Sequence, residues 1–372
     1  MAVLKTGLGE RLVSSDVEAK AFDVLPVIDL ADLGSPDVER RKALAEQASP
    51  SSPVLVRSLT NSLAARRQIQ RASIEIGFFY ISNHGIDQDV IDDAFEQGRQ
   101  FFAQPTEKKM LVDLQKSDAF KGYAPLKGEN VDPASRGDVH EAFDIGDDSQ
   151  VFKSGTRSGG NLWPPAEDLP AFRPAIERAF SAVMHLGKRL LPLFALALDL
   201  PEDHFSDQTR NPGSTFRVLS YPPQVGEVDL KEIGIGAHQD YELYTILAQH
   251  GDVEALQVLN ADGEWVHAPP RRGTFVVNIG DQLERLTNGI FKSTVHRAIN
   301  RSGVSRMSMP FFFGLDYDAN LSVLPNCISE SRPALYEPIL AGEYVEKRLA
   351  ETYVRVDDTN VDDNADTGAI VG

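Results

Sequence analysis

The spacing of apolar residues divides the chain into a helix-rich front and a strand-rich back. Residues 87–113 and 173–199 show the three-to-four-residue repeat of an amphipathic helix, which is clearest at Ile176 and Val183. Pro192 lies within the second segment and lacks a backbone N–H, so it is expected to kink or divide that helix. The front half is therefore predicted to be mainly helical.

Short strands are predicted between the front helices and throughout the back. In the front, PVIDL at residues 26–30 and GFFYIS at residues 77–82 are rich in β-branched and aromatic side chains. A Ser-Pro cluster at residues 49–53 predicts a loop. From Thr215 onward, turn residues separate strand-like runs at nearly regular spacing: FRVLSYP, ELYTILAQ, EALQVLN, EWVHAPP, GTFVVNIG, KSTVHRAIN and RMSMPFFFG. This spacing predicts an antiparallel sandwich or barrel.

Composition and charge narrow the classes of function. The 372 residues are 42% hydrophobic and 25% charged, which is typical of a globular protein with a sizeable core. The 55 acidic and 37 basic residues give a net charge of −18, which argues against a nucleic-acid-binding face and against docking on anionic membranes. No signal peptide or membrane span is evident in the sequence, so we expect a cytoplasmic protein.

The cysteine and histidine content restricts any metal site to nitrogen and oxygen ligands. The single cysteine, Cys327, excludes a disulfide framework, a cysteine-rich zinc site and a Cys-ligated iron–sulfur cluster, whereas eight histidines are available. His238 and Asp240 are two residues apart in the strand-like run GIGAHQDYELYTIL, so their side chains are predicted to share one face. His296, in the run KSTVHRAIN, is the best candidate for a third ligand. Two imidazoles and one carboxylate form the facial triad of non-haem Fe(II) oxygenases.

A basic residue follows the third candidate ligand on a further predicted strand. Arg306 and Ser308 share a strand face, from which a guanidinium can hold a carboxylate by paired hydrogen bonds. Each residue alone has an ordinary explanation, because a His-x-Asp pair seldom binds metal, a lone histidine suits a core, and a lone arginine suits a surface ion pair. The ordered set of five residues is far more specific than any of its parts.

The chain resembles the isopenicillin N synthase-like branch of the Fe(II)/2-oxoglutarate-dependent dioxygenases, from about residue 25 to residue 318. In the front half the resemblance rests on PVIDL, GFFYISNHGI, FFAQPTEKK, KGYAP and HEAFDIG. In the back half it rests on LSYPPQ, AHQDYELYTIL, DGEWV, FVVNIGDQLERLTNG, KSTVHRAIN and RMSMPFFF. The resemblance implies a mainly β fold with flanking helices, built on a double-stranded β-helix (a distorted jelly roll) with a helical N-terminal part.

The same resemblance implies a reaction and the residues that carry it. The expected reaction is the oxidation of a small organic substrate of secondary metabolism, by hydroxylation or by desaturation or ring rearrangement, with release of succinate and CO₂. The expected cofactors are Fe(II), 2-oxoglutarate as cosubstrate and O₂, with ascorbate as a candidate reductant. The functional residues of the family fall on His238, Asp240 and His296 as metal ligands, and on Arg306, Ser308 and Tyr221 as the cosubstrate site.

The sequence and the resemblance together predict five consecutive parts. These are a flexible arm at 1–20, a helical and strand region at 21–200, the Fe(II)/2-oxoglutarate jelly-roll core at 201–340, a helix at 341–355 and a disordered acidic tail at 356–372. The stretch around residues 45–65 is longer than the resemblance leads us to expect. We interpret it as a surface insertion, with a lid element or a mis-spliced segment as the alternatives.

Substrate contacts are predicted on a strand and on two front loops. Phe312 shares the face of Arg306 by the two-residue period, so it should point into the barrel. The resemblance places Tyr123 and Phe143 on loops that cover the barrel mouth. Aromatic side chains at these positions would suit an apolar or aromatic small molecule. An acidic substrate would instead meet the basic side chains Lys121, Lys127 and Arg136. The sequence does not indicate an oligomeric state.

Three other functions stay open at the level of sequence. Isopenicillin N synthase and aminocyclopropanecarboxylate oxidase share the triad and the Arg-x-Ser motif, yet they take no 2-oxoglutarate. A non-catalytic jelly-roll binding protein could keep the fold without the reaction. A zinc hydrolase could use the same three ligands, although no general base for it is identifiable in the sequence.

Overall fold

A computed structural model describes residues 2–13, 25–31, 33, 61–117, 119–131, 136–147, 160–226 and 229–352. Three sequence predictions fall outside these residues. They are the loop at 49–53, the insertion up to residue 60 and the acidic tail at 356–372.

Sixteen strands and six α-helices occur in the described parts of the chain. The strands are β1 (Ala2–Thr6), β2 (Gly9–Val13), β3 (Val27–Asp29), β4 (Phe78–Ser82), β5 (Gly122–Ala124), β6 (Glu141–Gly146), β7 (Ser214–Tyr221), β8 (Ile235–His238), β9 (Tyr244–Gln249), β10 (Leu256–Leu259), β11 (Trp265–His267), β12 (Thr274–Ile279), β13 (His296–Ala298), β14 (Arg306–Phe313), β15 (Asn320–Leu321) and β16 (Ile339–Leu340). The helices are α1 (Asn61–Glu75), α2 (Gln88–Phe102), α3 (Thr106–Lys109), α4 (Phe172–Ala197), α5 (Asp281–Leu286) and α6 (Ala341–Thr352). Short 3₁₀ turns occupy Met110–Val112, Leu114–Lys116, Ser206–Gln208 and Pro325–Cys327.

Two sheets form the jelly roll. The larger has the order β3-β4-β12-β9-β14-β7-β6-β5, and the smaller has the order β11-β10-β13-β8. All pairings within them are antiparallel except that of β3 with β4. The larger sheet takes four strands from the front of the chain and four from the back. The boundary predicted near residue 200 is therefore not a boundary in the sheet, and the front and back halves fold together.

Strand β14 shows how the sequence directs one face of the sheet to the core and the other to a cavity. Met307, Met309, Phe311 and Phe313 join the main hydrophobic core. The alternate side chains, from Arg306 to Phe312, line a cavity between the two sheets. This alternation follows from the two-residue period of a strand.

Helix α4 covers the outer face of the larger sheet and is continuous through Pro192, so the helix is not divided there, which was one of the two expected effects of this proline. Gly187 allows the close approach, because a Cβ there would lie 2.8 Å from Cδ2 of Phe313. The hydroxyl of Tyr244 donates to the Gly187 carbonyl at 2.8 Å. By length and composition α4 is the one helix of the described chain that could cross a membrane, yet 56% of its most apolar window is buried within the protein. That burial is the arrangement of a core helix.

Part of the predicted N-terminal arm is a β-hairpin. Strands β1 and β2 pair from Ala2–Val13 to Thr6–Gly9, and Leu4 packs with Trp265 and Val295. The prediction of a flexible arm was wrong for residues 2–13 because the apolar contacts of Leu4 lie far away in the sequence. At the other end of the chain, α6 occupies the region in which the C-terminal helix was predicted.

Candidate metal and cosubstrate site

A cavity of about 1480 Å³, including its open mouth, lies between the two sheets. It is lined by the smaller sheet on one side, by the inward face of β7 and β14 on the other, and by two side chains of α6. Charged and polar groups are concentrated on its walls among apolar and aromatic side chains, as is typical of small-molecule sites.

Three potential metal ligands converge in this cavity. The side chains of His238, Asp240 and His296 each offer one ligand atom, and these atoms all lie within 4.8 Å of one another. Asp240 Oδ1 is 3.5 Å from His238 Nε2 and 3.6 Å from His296 Nε2. Strands β8 and β13 position the two imidazoles, because His238 and His296 are direct partners across the antiparallel pair.

Backbone carbonyls orient both imidazoles toward the shared point. His238 Nδ1 lies 2.8 Å from the Gly236 oxygen, and His296 Nδ1 lies 3.1 Å from the Thr294 oxygen. A proton on each Nδ1 leaves the Nε2 lone pair directed at Asp240, and this is the usual support of a metal-binding histidine. The donor set and its orientation thus fit a divalent ion with nitrogen and oxygen ligands.

The charges of the triad also suit a metal ion. Burial alone would raise the pKa of Asp240, but the adjacent imidazoles of His296 and His238 hold it below its usual value, and Asp240 in turn raises the pKa of His238 against the effect of burial. Burial and the nearby charge of His238 lower the pKa of His296 to about 4. Asp240 and His296 thus have the protonation states that a metal ion requires, and a metal ion bound here would displace the proton that Asp240 favours on His238.

Two neighbouring side chains hold the second oxygen of Asp240. Thr245 Oγ1 and Asn278 Nδ2 donate to Asp240 Oδ2 at 2.5 and 2.7 Å, which leaves Oδ1 facing the two imidazoles. Neither residue was among the sequence-predicted site residues. The signal that could have found them is their place in the motifs YELYTIL and VVNIG, on strands that flank the metal-binding loop.

Substitution Asn278→Ala is expected to weaken Fe(II) affinity by about 10–100-fold, because supporting contacts of this kind fix the ligand geometry. Metal titration of the purified protein measures the effect. Asn300→Ala is the matched control, since Asn300 is also buried and donates to the backbone oxygens of Pro222 and Val304 at 3.2 and 2.8 Å. An equal loss of affinity in both variants would contradict a specific role for Asn278.

A buried guanidinium lies in the same cavity on β14. Arg306 Nη1 donates to Ser308 Oγ at 3.4 Å, and Nη2 donates to Gln249 Oε1 at 3.2 Å. The guanidinium carbon lies 4.6 Å from the centre of the Tyr221 ring, and the Tyr221 hydroxyl is 3.4 Å from Ser308 Oγ. The structure therefore brings together the three residues that the sequence predicted as a cosubstrate site. It adds Gln249 to them.

The surroundings of Arg306 fit an anionic ligand. The side chain is buried, and its Nε has no hydrogen-bond partner among the described residues. The two hydrogen bonds that it donates go to a hydroxyl and an amide oxygen, both neutral. A buried cation without a carboxylate partner is costly, so a bound carboxylate would supply the missing charge and acceptor. Such a group is present at the distal end of 2-oxoglutarate.

The predicted substrate contacts are only partly brought together. Phe312 lines the cavity. Tyr123 and Phe143 do not, because their side chains lie on the opposite face of the larger sheet and pack with Phe101 and Phe172. The prediction for Tyr123 and Phe143 was wrong because they belong to regular strands, in which alternate residues face opposite sides.

Four further residues near the cavity differ in whether they line it. By the two-residue period of a strand, Tyr241 would face away from the cavity. It lines the cavity instead, because β8 ends at His238 and the period no longer holds. Of the three basic residues considered for an acidic substrate, Lys121 lines the cavity. Lys127 and Arg136 form ion pairs on the surface with acidic side chains.

The position of Phe143 in the hydrophobic core, rather than at the cavity, can be tested by substitution. Phe143→Ala is expected to lower the free energy of unfolding by about 3–5 kcal/mol, the usual cost of a large cavity in a core. Thermal or denaturant unfolding measures the loss. Phe312→Ala, at the cavity wall, should cost less stability while changing substrate affinity. A Phe143 variant of normal stability with altered substrate affinity would restore the original prediction.

Comparison with known proteins identifies the class. Residues 52–166 match the family described as non-haem dioxygenase in morphine synthesis N-terminal, and residues 212–315 match the 2OG-Fe(II) oxygenase superfamily. The 2-oxoglutarate-Fe(II) type oxidoreductase ppzC of Metarhizium rileyi is 35% identical over 324 residues, which cover 81% of this chain and 86% of that protein. The chain therefore belongs to the 2OG-Fe(II) oxygenase superfamily.

Two further relatives agree with this assignment. The homoarginine-6-hydroxylase 2-ODD-233 of Oryza sativa subsp. japonica is 33% identical over 296 residues, 77% of this chain and 89% of that protein. The crystal structure of a full-length Neurospora crassa protein in complex with alpha-KG has a TM-score of 0.74 at 26% identity, covering 90% of this chain and 98% of that one. The chain is thus a 2-oxoglutarate- and Fe(II)-dependent oxidoreductase with a jelly-roll fold and a small-molecule substrate. The narrower isopenicillin N synthase-like branch stays a prediction.

Proposed function

We propose that His238, Asp240 and His296 hold the Fe(II) ion, and that Arg306, with Ser308, binds the distal carboxylate of 2-oxoglutarate. The observation that carries this assignment is the meeting, in one cavity, of three ligand atoms within 4.8 Å and a buried guanidinium that has no acidic partner among the described residues. When bound, the iron and the cosubstrate supply the oxidation of a substrate C–H bond by O₂, with conversion of 2-oxoglutarate to succinate and CO₂.

The residues of the chain contribute binding and orientation. The Arg306 guanidinium is fixed by Gln249 and Ser308 and stacks on Tyr221, so little freedom is lost when it receives a carboxylate. Arg306 is the first residue of β14 and lies at the cosubstrate end of the cavity. Phe312 lies further along the same face of this strand. This order along β14 gives the cosubstrate and the substrate separate positions on the same cavity wall.

The substrate class is proposed as a small organic metabolite that is hydroxylated, desaturated or rearranged. Support comes from the names of the relatives, an oxidoreductase and a hydroxylase of small molecules, and from the mixed apolar and polar lining of the cavity. Because relatives are named as 2-oxoglutarate-Fe(II) oxidoreductases, an oxidase that works without 2-oxoglutarate is not favoured. A non-catalytic binding protein is not favoured either, because this chain keeps all three candidate metal ligands together with Arg306.

Anaerobic reconstitution with Fe(II) and 2-oxoglutarate tests the proposal. A weak visible charge-transfer band should appear when the cosubstrate chelates the metal, and admission of air with a substrate should produce succinate. A band without succinate for any compound of a metabolite library would favour a binding protein. The absence of a band would refute cosubstrate binding at this metal.

A further inference from the structure

One buried carboxyl group at the wall of the cavity belongs neither to the triad nor to the cosubstrate site. Glu242 lies in the loop between β8 and β9, and it lines the cavity. The residue is 6% exposed. Its carboxyl group is held by one hydrogen bond, which Gln282 Nε2 donates to Oε2 at 2.8 Å. The other carboxyl oxygen, Oε1, accepts no hydrogen bond among the described residues.

The surroundings of the Glu242 carboxyl group are shaped to hold it. Gln282 is itself fixed, because its Oε1 accepts a hydrogen bond from the backbone N–H of Leu315 at 3.0 Å. Gly314 leaves the space that the carboxyl group occupies, since a Cβ at that position would collide with Glu242 Oε2. A buried amide and a glycine thus fix one carboxyl oxygen, while the second is not sealed within the protein and is reached from the cavity.

No cationic side chain among the described residues pairs with Glu242. Its one hydrogen-bond donor is a neutral amide, and burial together with the charge of Asp240 raises the pKa of Glu242 to about 8. A buried carboxylate without a cation is costly, as is the buried guanidinium of Arg306 without a carboxylate. A positively charged group of a bound ligand would supply the missing partner.

The order of contacts along β9 places Glu242 on the far side of the triad from the cosubstrate. Gln249, at the end of β9, holds Arg306. Thr245, near the start of the strand, donates to Asp240 of the triad. Glu242 precedes the strand and therefore continues the same direction, from the cosubstrate site past the metal site.

The two ends of β14 show the same order. Arg306 is the first residue of this strand, whereas Gly314 directly follows its last residue. By the two-residue period, Gly314 continues the inward face that carries Arg306 and Phe312. The Glu242 carboxyl group packs against Gly314, so the cavity has a cation near one end of β14 and an unpaired acid near the other. The distal carboxylate of 2-oxoglutarate is proposed at the first end, which leaves the second end for the substrate.

We propose that Glu242 is a specificity-determining residue whose free carboxyl oxygen accepts hydrogen bonds from a cationic nitrogen group of the substrate, an ammonium or a guanidinium. Gln282 and Gly314 hold the carboxyl group in place. The rest of the substrate is apolar, because apolar side chains such as Phe312 and Leu349 line other parts of the wall. This inference rests on the proposed function, because it takes the cavity to be the substrate site of an iron oxygenase.

Binding of matched aromatic fragments to the anaerobic holoenzyme, loaded with Fe(II) and saturating 2-oxoglutarate, tests the inference. Benzylammonium and benzylguanidinium carry the cation, benzyl alcohol is neutral and phenylacetate is an anion, and ligand-observed NMR measures each Kd. At least one cationic fragment should bind at least about tenfold more tightly than benzyl alcohol, the effect of a charge-assisted hydrogen bond. Phenylacetate should bind no more tightly than benzyl alcohol. The order of the two cations distinguishes an ammonium from a guanidinium preference.

Variants assign the preference for cations to Glu242. Glu242→Gln keeps the shape and the acceptor for Gln282 but removes the acid, so it should abolish the preference. Glu242→Asp keeps the acid but withdraws it by one methylene, so the preference should fall, and an unchanged preference there counts against the inference. Glu129→Gln is the matched control, because Glu129 is also a buried acid that lines the cavity, but it is paired with Arg217 and His140. Thermal unfolding verifies that each variant is folded.

The outcomes separate this inference from the proposed function. A normal charge-transfer band, with a preference for cations that is lost in Glu242→Gln and kept in Glu129→Gln, supports the inference. A normal band with no such preference in the wild type, or with one that survives in Glu242→Gln, overturns it and leaves the metal and cosubstrate assignments intact. An equal loss of preference in Glu129→Gln also overturns it, because the preference would then reflect the general negative charge of the wall. The absence of a band in the wild type would instead count against the proposed function.

Discussion

Substitution Asp240→Ala is expected to abolish 2-oxoglutarate turnover by the reconstituted protein. The variant loses the only carboxylate of the triad, and the two imidazoles that remain are neutral ligands on strands β8 and β13. Fe(II) affinity should fall by more than the roughly 100-fold that accompanies loss of a supporting contact, since a ligand itself is removed. Metal titration and succinate formation measure the two effects.

A control is needed because Asp240 is buried and its replacement also leaves Thr245 and Asn278 without their acceptor. Circular dichroism and thermal unfolding should show a folded protein, because the strands themselves are unchanged. His267→Ala, which removes a histidine from the neighbouring β11 outside the triad, should retain metal binding and turnover. Stoichiometric Fe(II) binding by a folded Asp240→Ala protein would disprove the ligand assignment.

Substitution Arg306→Ala is expected to reduce 2-oxoglutarate affinity by about 2–5 kcal/mol, the usual effect of removing one partner of a buried charge pair. Fe(II) binding should be nearly unchanged, because the guanidinium contacts Ser308, Gln249 and Tyr221 rather than the triad. Titration of the anaerobic charge-transfer band gives the cosubstrate Kd, and titration without cosubstrate gives the Fe(II) affinity.

Graded variants at the same site sharpen this prediction. Arg306→Lys should recover only part of the affinity, since lysine retains the charge but lacks the fork that matches a carboxylate. Ser308→Ala should cost only about 1 kcal/mol, the value of a single neutral hydrogen bond. An equal loss of iron and cosubstrate affinity in Arg306→Ala, or a larger effect for Ser308→Ala, would contradict the assigned roles.

The sequence was most informative where local period and chemistry coincide. Arg306, Ser308 and Phe312 share one strand face, so their common orientation follows from strand geometry alone. Asp240 lies beyond the end of β8, so it meets His238 through the loop that follows the strand. The pairing of β8 with β13, which brings the two histidines together, is a long-range contact that spacing can suggest but cannot establish. The resemblance to a known family supplied that missing information at the level of sequence.

Errors arose where distant contacts decide the structure. Phe143 was taken for a loop residue, yet its strand β6 pairs with β7 and directs the ring into the aromatic core. The hairpin of residues 2–13 is held by Leu4 against a remote tryptophan, Trp265. The ion pairs of Arg217 with Glu129 and Asp144 were not predicted, although an arginine on a buried, alternating strand was visible in FRVLSYP. Its carboxylate partners come from β6 and a loop, which no local pattern connects to β7.

The direct pairing of His238 with His296 makes the proposed metal a cross-link between two strands of the smaller sheet. At the edge of that sheet, the short strand β8, Ile235–His238, pairs with β13, His296–Ala298. Binding only to the folded chain would stabilise it by about 2.7 kcal/mol when free Fe(II) is 100 times the Kd. The supply of iron would then govern how long the protein survives cellular proteolysis, as well as how fast it turns over, so that iron-starved cells would hold less of the enzyme.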